Sequence, residues 1–337
     1  MLLYLGNKLS RHGKAPSMME ALLPRFAQFI KVRSASDKNN QLLRGWDMLW
    51  SFAQHQGKCR CILIDVYSNL AFIYAFVFSI LSWLSQKPYI LFLHGGSLPG
   101  RYQHSTKVFS FILSRAKKII APSNYLAQYF TNLGFSVQVI PNFIEIQNYP
   151  FEVRKKSNLK LLYIRGFGKP YNPLMTLNGV KLLVEKEYRP HLTMLGNSDE
   201  AWYEAVINFI RENQLDNYVE VLPKMSRKEW VALSRDYDIM ISNPDIDNTP
   251  VSLIEGLALG LVIISTEVGG VPFLFPDEQV NFVPKDDSEA LANQLIALYN
   301  SPEQMEQMSN RGRLYASQFD WSQVGKQWQD LFNSIDE

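Results

Sequence analysis

The stretch DIMISNPDIDNTPVSLIEGLALGLVIISTEVGGVP, residues 238–272, decides how this chain folds. DIMIS is a short apolar run of strand length, and NPDIDN after it is rich in turn formers. Thr249 suits a helix N-cap and Pro250 a first helical position. Ile254, Leu257, Ala258 and Leu261 follow at helical spacing, Gly260 marks the helix end, and LVIIS is a second buried strand. A strand, a helix and a strand in so few residues form a parallel crossover unit.

The same alternation extends in both directions. Strand candidates start at Leu2, Phe29, Cys61, Tyr89, Lys118 and Val137, with helical stretches such as 17–27, 40–55, 69–85 and 123–132 between them. After a polar, Pro-bearing join near residues 142–158, the series restarts with LKLLYI, HLTML, VEVLP, DIMIS, LVIIS and VNFVP. Two such series predict an α/β protein of two Rossmann-like domains with parallel sheets covered on both faces. Ligands of such sheets bind beyond the carboxyl ends of the strands, so the chemistry belongs in the loops there.

Composition supports two folded domains. The 337 residues are 47% hydrophobic and 20% charged. The net charge of +2 conceals an asymmetry: residues 1–150 carry 16 Lys and Arg against 5 Asp and Glu, whereas residues 151–337 carry 18 against 27. A basic front half points to an anionic partner. Cys59 and Cys61 match no common zinc spacing and read as core thiols of a reducing compartment. MLLYLGN lacks the basic start of a signal peptide. Residues 66–86 are uncharged, long enough to span a bilayer, but lie between two good strands. A span would cut a strand–helix–strand unit, so a buried or membrane-resting helix is the better reading.

Several loops carry candidate chemistry. In the opening stretch, Asp247 stands at a strand's carboxyl end, and Glu255 lies one to two turns into the helix with its side chain tilted back. Between them the backbone around Asn248, Thr249, Pro250 and Val251 forms a helix N-terminus suited to anions or hydroxyls. A helix-dipole acid at Asp247 and an exposed helix acid at Glu255 is the plainer alternative. Gly269 and Gly270 provide backbone room beyond the next strand. RGFGK, residues 165–169, puts Arg165 and Lys169 on a glycine-bearing loop that suits a diphosphate, with a solvated basic turn the plainer alternative for Lys169. HGG, residues 94–96, puts His94 at another strand end. It also resembles a hydrolase oxyanion loop, but no Gly-x-Ser-x-Gly elbow accompanies it. The N-terminal loop with Gly6, Arg11, His12 and Gly13 is no dinucleotide fingerprint, so no nicotinamide or flavin cofactor is expected. Asp245 and Asp247 form the one place where a metal reading could enter, and no metal is expected.

With these residues in hand, 161–173 and 243–275 resemble the large retaining glycosyltransferase family 4, of GT-B fold. The family's Glu-x7-Glu element reads Asp247-x7-Glu255 here, and GLALGLVIISTEVGGVP, APSNYL, IPNFIE and QFDWSQVGKQWQDLF match further landmarks. The resemblance covers essentially the whole chain. It implies two facing domains: 1–150 for the acceptor, 151–318 for a nucleotide-sugar, and 319–337 as a helix crossing back to the first. Glu255 would hold ribose hydroxyls, and Asp247 with the backbone of Asn248 to Val251 the donor sugar. Arg165 and Lys169 would neutralise the diphosphate without a metal, His94 would lie near the anomeric carbon, and Gly13 would approach the diphosphate. The sequence departs from the pattern at three points: Asp for the first Glu, Asn-Thr-Pro for the usual Gly-Phe-Gly, and a spacing of four from Arg165 to Lys169.

The implied activity is transfer, with retention, of a sugar from a UDP- or GDP-sugar to a glycan or lipid-linked acceptor in surface polysaccharide synthesis. The nucleotide-sugar is a substrate, and no cofactor is called for. The expected place is the cytoplasm, peripheral at the inner face of an anionic membrane, with helix 66–86 as a contact. A sugar-nucleotide epimerase of the same architecture and an inactive nucleotide- or glycan-binding paralogue are the alternatives. A nucleic-acid partner is not expected, because no recognition motif accompanies the basic half.

Overall fold

The computed structural model describes residues 1–12, 16–197, 201–275 and 278–335. The chain divides into two compact units, Met1–Asn142 together with the segment from Ser322 onward, and Phe143–Trp321.

The first unit holds β1 (Leu2–Leu5), β2 (Val32–Ala35), β3 (Cys61–Val66), β4 (Tyr89–Leu93), β5 (Lys118–Ala121) and β6 (Val137–Val139). They form a parallel sheet in the order β2-β1-β3-β4-β5-β6. Every residue of β1, β3 and β4 is buried, which is why these strands read as continuous apolar runs rather than alternating ones. The helices are α1 (Met18–Phe26), α2 (Gln41–His55), α3 (Phe72–Leu84), α4 (Leu98–His104), α5 (Thr106–Arg115) and α6 (Asn124–Asn132). The uncharged run 66–86 becomes α3, which buries Phe72, Ala75 and Phe78. Among the described residues no helix is long and apolar enough to cross a membrane. Strand β2 starts at Val32, later than the expected Phe29. The chain leaves α1 through further turns, with Ile30 N–H donating to Phe26 O at 2.9 Å and the Phe29 ring packing on Phe26.

The second unit holds β7 (Lys160–Tyr163), β8 (His191–Leu195), β9 (Val219–Leu222), β10 (Ile239–Ser242), β11 (Val262–Thr266) and β12 (Val280–Val283). Its parallel order is β12-β11-β10-β7-β8-β9. The helices are α7 (Pro173–Glu185), α8 (Tyr203–Glu212), α9 (Arg227–Leu233), α10 (Val251–Leu259), α11 (Val271–Leu274), α12 (Ser288–Tyr299) and α13 (Pro302–Ala316). Ile239 and Ile241 of β10 enter one core cluster and Met240 the other, so both faces of the sheet are covered. The chain builds outward from β7 through β8 and β9, then returns to the other side with β10, β11 and β12. The switch point therefore falls between β7 and β10, and a crevice opens at their carboxyl ends. In the first unit the corresponding point lies between β1 and β3.

Residues 143–150, expected in the first domain, lie in the second unit, and the boundary at Asn142 falls at the start of the expected 142–158 join. Ile144 N–H donates to Phe319 O, and Trp321 N–H donates to Ile144 O, both at 2.9 Å. The last helix, α14 (Trp321–Asn333), joins the first unit from Ser322 onward. It buries Val324, Trp328, Leu331 and Phe332, a stripe at helical spacing. Trp328 is 1% exposed and meets Phe26 and Phe92 edge-on at 5.1 and 5.2 Å. Trp328→Ala should therefore cost about 3–5 kcal/mol. The readout is the urea midpoint of unfolding, and an unchanged midpoint would show that α14 does not close this core.

Candidate active site

In the second unit, the loops after β7 and β10 deliver Arg165 and Asp247 to the switch point. The Arg165 guanidinium meets Asp247 at 2.7 Å through Nη2 and donates to Ser252 Oγ at 3.3 Å through Nη1. Its Cζ lies over the Tyr171 ring, 4.4 Å from the centroid. A charged pair held this way at the mouth of a crevice can exchange partners with an anionic ligand. The crevice has a volume of about 390 Å³, and Lys224, Arg227 and Glu255 contribute to its walls. Lys169 is exposed in a 3-10 turn and does not line it; Lys224 and Arg227 supply the further positive charge instead.

Glu255 is buried on α10, unlike the exposed acid of the plainer reading. Tyr149 Oη donates to its Oε1 at 2.6 Å, and Arg227 Nε lies 2.8 Å from the same oxygen. Burial pushes the Glu255 carboxyl above its ordinary value; Arg227 and the tyrosine hydroxyl oppose this. Burial and the neighbouring carboxylate together push Tyr149 up. Neither partner is legible as such in the sequence. Ser226-x-x-Glu229 is a readable capping box that predicts the helix behind Arg227, but nothing local ties Tyr149 to a residue so far along the chain.

Helix α10 begins at Val251 with Pro250 as its N-cap, one residue later than Thr249 and Pro250 lead one to expect. Pro250 has no N–H to offer, and the Asn248 N–H donates to Asp247 Oδ1 at 2.7 Å. Of the four residues expected to present backbone donors, two are thus committed or lack one. The Gly269–Gly270 turn also differs from its expected use. A Cβ on Gly269 would stand 2.2 Å from Asp247 O, one on Gly270 2.3 Å from Asn248 O, and Gly270 N–H donates to Asp247 O at 2.9 Å. The room these glycines make is filled by the 247–248 backbone itself. Asp245 pairs with Lys285 at 3.4 Å while Asp247 pairs with Arg165, so the two acids face different cations instead of converging on one ion.

In the first unit, His94 follows β4 and its Nε2 lies 2.8 Å from Asp65 Oδ1. Tyr4 Oη donates to the same oxygen at 2.9 Å and Tyr67 Oη to Oδ2 at 3.2 Å. Burial and the carboxylate push both phenols well above the ordinary tyrosine value. An ionised Asp65 only accepts, so Nε2 carries the proton and donates. Gly6, at the end of β1, is the one residue that fits here, since its Cβ would lie 2.2 Å from Asp65 Oδ2. The one sequence signal for Asp65 is an acid inside the apolar strand CILIDV. Gly13 lies outside the described residues.

Comparison with known proteins gives this arrangement its class. Residues 145–315 match the family described as Glycosyl transferases group 1, and residues 13–148 match Glycosyltransferase Family 4. The chain belongs to the group 1 glycosyl transferases and is a glycosyltransferase of GT-B fold. It is 24% identical over 270 residues to a glycosyltransferase of Methanocaldococcus jannaschii, covering 76% of this chain and 71% of that one. It is 25% identical over 225 residues to a Bacillus subtilis glycosyltransferase named for teichuronic acid biosynthesis, covering 64% and 56%. Anabaena Alr3699/HepE, solved in complex with UDP, shares the fold with a TM-score of 0.81 at 16% identity, over 99% of each chain.

Two outcomes test the geometry. Because folding raises the Glu255 pKa, the ionised carboxyl costs stability as pH climbs from the ordinary glutamate value through the raised one. Removing Arg227 enlarges that rise. Arg227→Ala should therefore lower the melting temperature more at about pH 8 than at about pH 5. The effect is expected to be small because the arginine side chain is 67% exposed. An equal loss at both values would separate Arg227 from the Glu255 charge. For the first unit, nitrogen-15 NMR should find the His94 proton on Nε2, with that preference lost in Asp65→Asn.

Proposed function

We propose that this glycosyltransferase moves a sugar, with retention, from a UDP- or GDP-sugar to a glycan or lipid-linked acceptor in surface polysaccharide synthesis. The observation that carries the reading is the Arg165–Asp247 pair at the β7–β10 switch point, with Arg165 and the buried Glu255 lining one crevice. Each part has a job that this chemistry needs. The donor diphosphate draws Arg165 away from Asp247, with Lys224 and Arg227 nearby, and Lys169 is assigned to it from its exposed turn. Asp247 is then released to accept sugar hydroxyls beside the backbone of Asn248, Thr249, Pro250 and Val251. Glu255, an acceptor kept in place by Tyr149 and Arg227, receives the ribose hydroxyls.

In the transfer, the bond from the anomeric carbon to the phosphate oxygen breaks and one to the acceptor oxygen forms. The acceptor's proton passes to the departing phosphate, which leaves as the nucleoside diphosphate. Charge grows on that phosphate in the transition state, where a positioned guanidinium is worth most. Within the first unit His94 is oriented by Asp65. The Anabaena protein has also been solved with UDP-glucose, which supports a nucleotide-sugar donor, and the Bacillus relative is named for teichuronic acid biosynthesis, which supports a polysaccharide product. The basic front half suits an acceptor at the inner face of an anionic membrane, where the enzyme would sit peripherally.

UDP or GDP should raise the melting temperature of the parent protein, and the nucleotide that does so names the donor class. Arg165→Ala should lower kcat/KM by about 10²–10³-fold on the donor so identified, with membrane extract as the acceptor source. Glu255→Ala should abolish the nucleotide-induced shift. Full activity in Arg165→Ala, or an unchanged shift in Glu255→Ala, would remove these residues from the site.

A further inference from the structure

Helix α2 buries Met48 and Phe52 on one side, as a surface helix must. Its other side is not polar. Leu42, Leu43, Trp46 and Trp50 stand 78%, 60%, 72% and 66% exposed. The outer face of such a helix normally carries charge. Here the helix's only Lys or Arg, Arg44, is buried, with its guanidinium donating to Lys38 O, Asn39 O and Asn7 Oδ1. Asp47 is the only acid. Helix α3 lies alongside, joined by the Tyr74 hydroxyl on Gln41 O at 2.7 Å and by Phe52 against Phe78. Leu70, just before α3, and Ile73 on it are exposed too, in a run with no charge from residue 66 to 86. Leu42, Trp46, Leu70 and Ile73 all line one open groove of about 950 Å³.

Scattered apolar side chains on a surface need no explanation, but a contiguous set including two tryptophans does. Its surroundings say what covers it. The front half carries 16 Lys and Arg against 5 Asp and Glu, and of those acids Asp65 is buried. Exposed Lys38 precedes α2, exposed Lys107 stands next to exposed Val108, and Arg101 lines the groove. A second copy of this chain would bring the same positive excess and be repelled. An anionic lipid leaflet offers hydrocarbon for the leucines, an interfacial zone for the tryptophans and negative headgroups for the lysines.

We propose that the α2–α3 face docks on an anionic lipid leaflet, with Leu42, Trp46 and Trp50 entering the interface and the surrounding basic residues holding headgroups. The inference deepens the membrane part of the proposed function by naming the surface, and it extends the expected contact from helix 66–86 to α2. It rests on that reading only for its purpose, namely keeping the enzyme where a lipid-linked acceptor lies.

The test is sedimentation of the full chain with vesicles of equimolar phosphatidylglycerol and phosphatidylcholine, and with phosphatidylcholine alone. The parent should bind the anionic vesicles, bind phosphatidylcholine alone much less, and be weakened by added salt. Trp46→Ala with Trp50→Ala should lower the partition coefficient at least ~10-fold. Both positions are exposed, so the circular dichroism melt should stay close to the parent's. Equal binding by parent and variant would overturn the proposal, as would equal binding to both vesicle types. So would a parent that ignores vesicles but forms a dimer dissolved by the same substitutions. UDP and GDP thermal shifts on the same samples report separately on the donor site, so vesicle binding without either shift would sink the donor reading and leave the docking face standing.

Discussion

A parallel sheet covered on both faces leaves polar chemistry almost nowhere to go except the carboxyl ends of its strands. Everything reactive in this protein follows from that constraint. Arg165 and Asp247 meet because the loops after β7 and β10 emerge side by side where the strand order reverses. His94 follows β4 and finds Asp65 near the end of adjacent β3. Asp65 shows what an exception requires. As an acid inside a buried strand it accepts from His94, Tyr4 and Tyr67, and the position beside it must be a glycine.

Two of the second-unit crevice's three cations are already held by carboxylates, and Lys224 adds positive charge beyond them. Arg165 is neutralised by Asp247, and Glu255 by Arg227 with help from Tyr149. A ligand binds there by exchanging partners, so an anion with several acceptors competes better than a single carboxylate. The arrangement also answers for Asp at the first acidic position. Its carboxylate binds Arg165 through one oxygen and the Asn248 N–H through the other, both at 2.7 Å. The loop is then clamped from outside by Gly269 and Gly270, whose missing Cβ atoms let the next turn close on it.

Much of the architecture was legible in the sequence, because periodicity and strand length are local properties. The two α/β series, the crossover at 238–272 and the helix inside the uncharged run all follow from residues close together in the chain, whereas the last helix was implied by the family resemblance. Arg165, Asp247 and His94 were legible as candidates next to strand ends, and Glu255 on the helix that follows. The candidate site was not legible where a partner came from elsewhere. Tyr149 and Arg227 reach Glu255 from separate segments, and Asp65 reaches His94 across the sheet.

The sequence by itself determined which segments become strands and helices and which loops emerge at strand ends, since hydrophobic spacing is written along the chain. Only the tertiary structure decided who pairs with whom. It set Tyr171 and Ser252 beside Arg165 while Lys169 stayed in solvent, it filled the glycine turn with backbone, and it left the tryptophan face of α2 uncovered. The physical reason is that pairing, burial and exposure depend on distances between residues far apart in the chain, and those distances exist only once the sheets have closed.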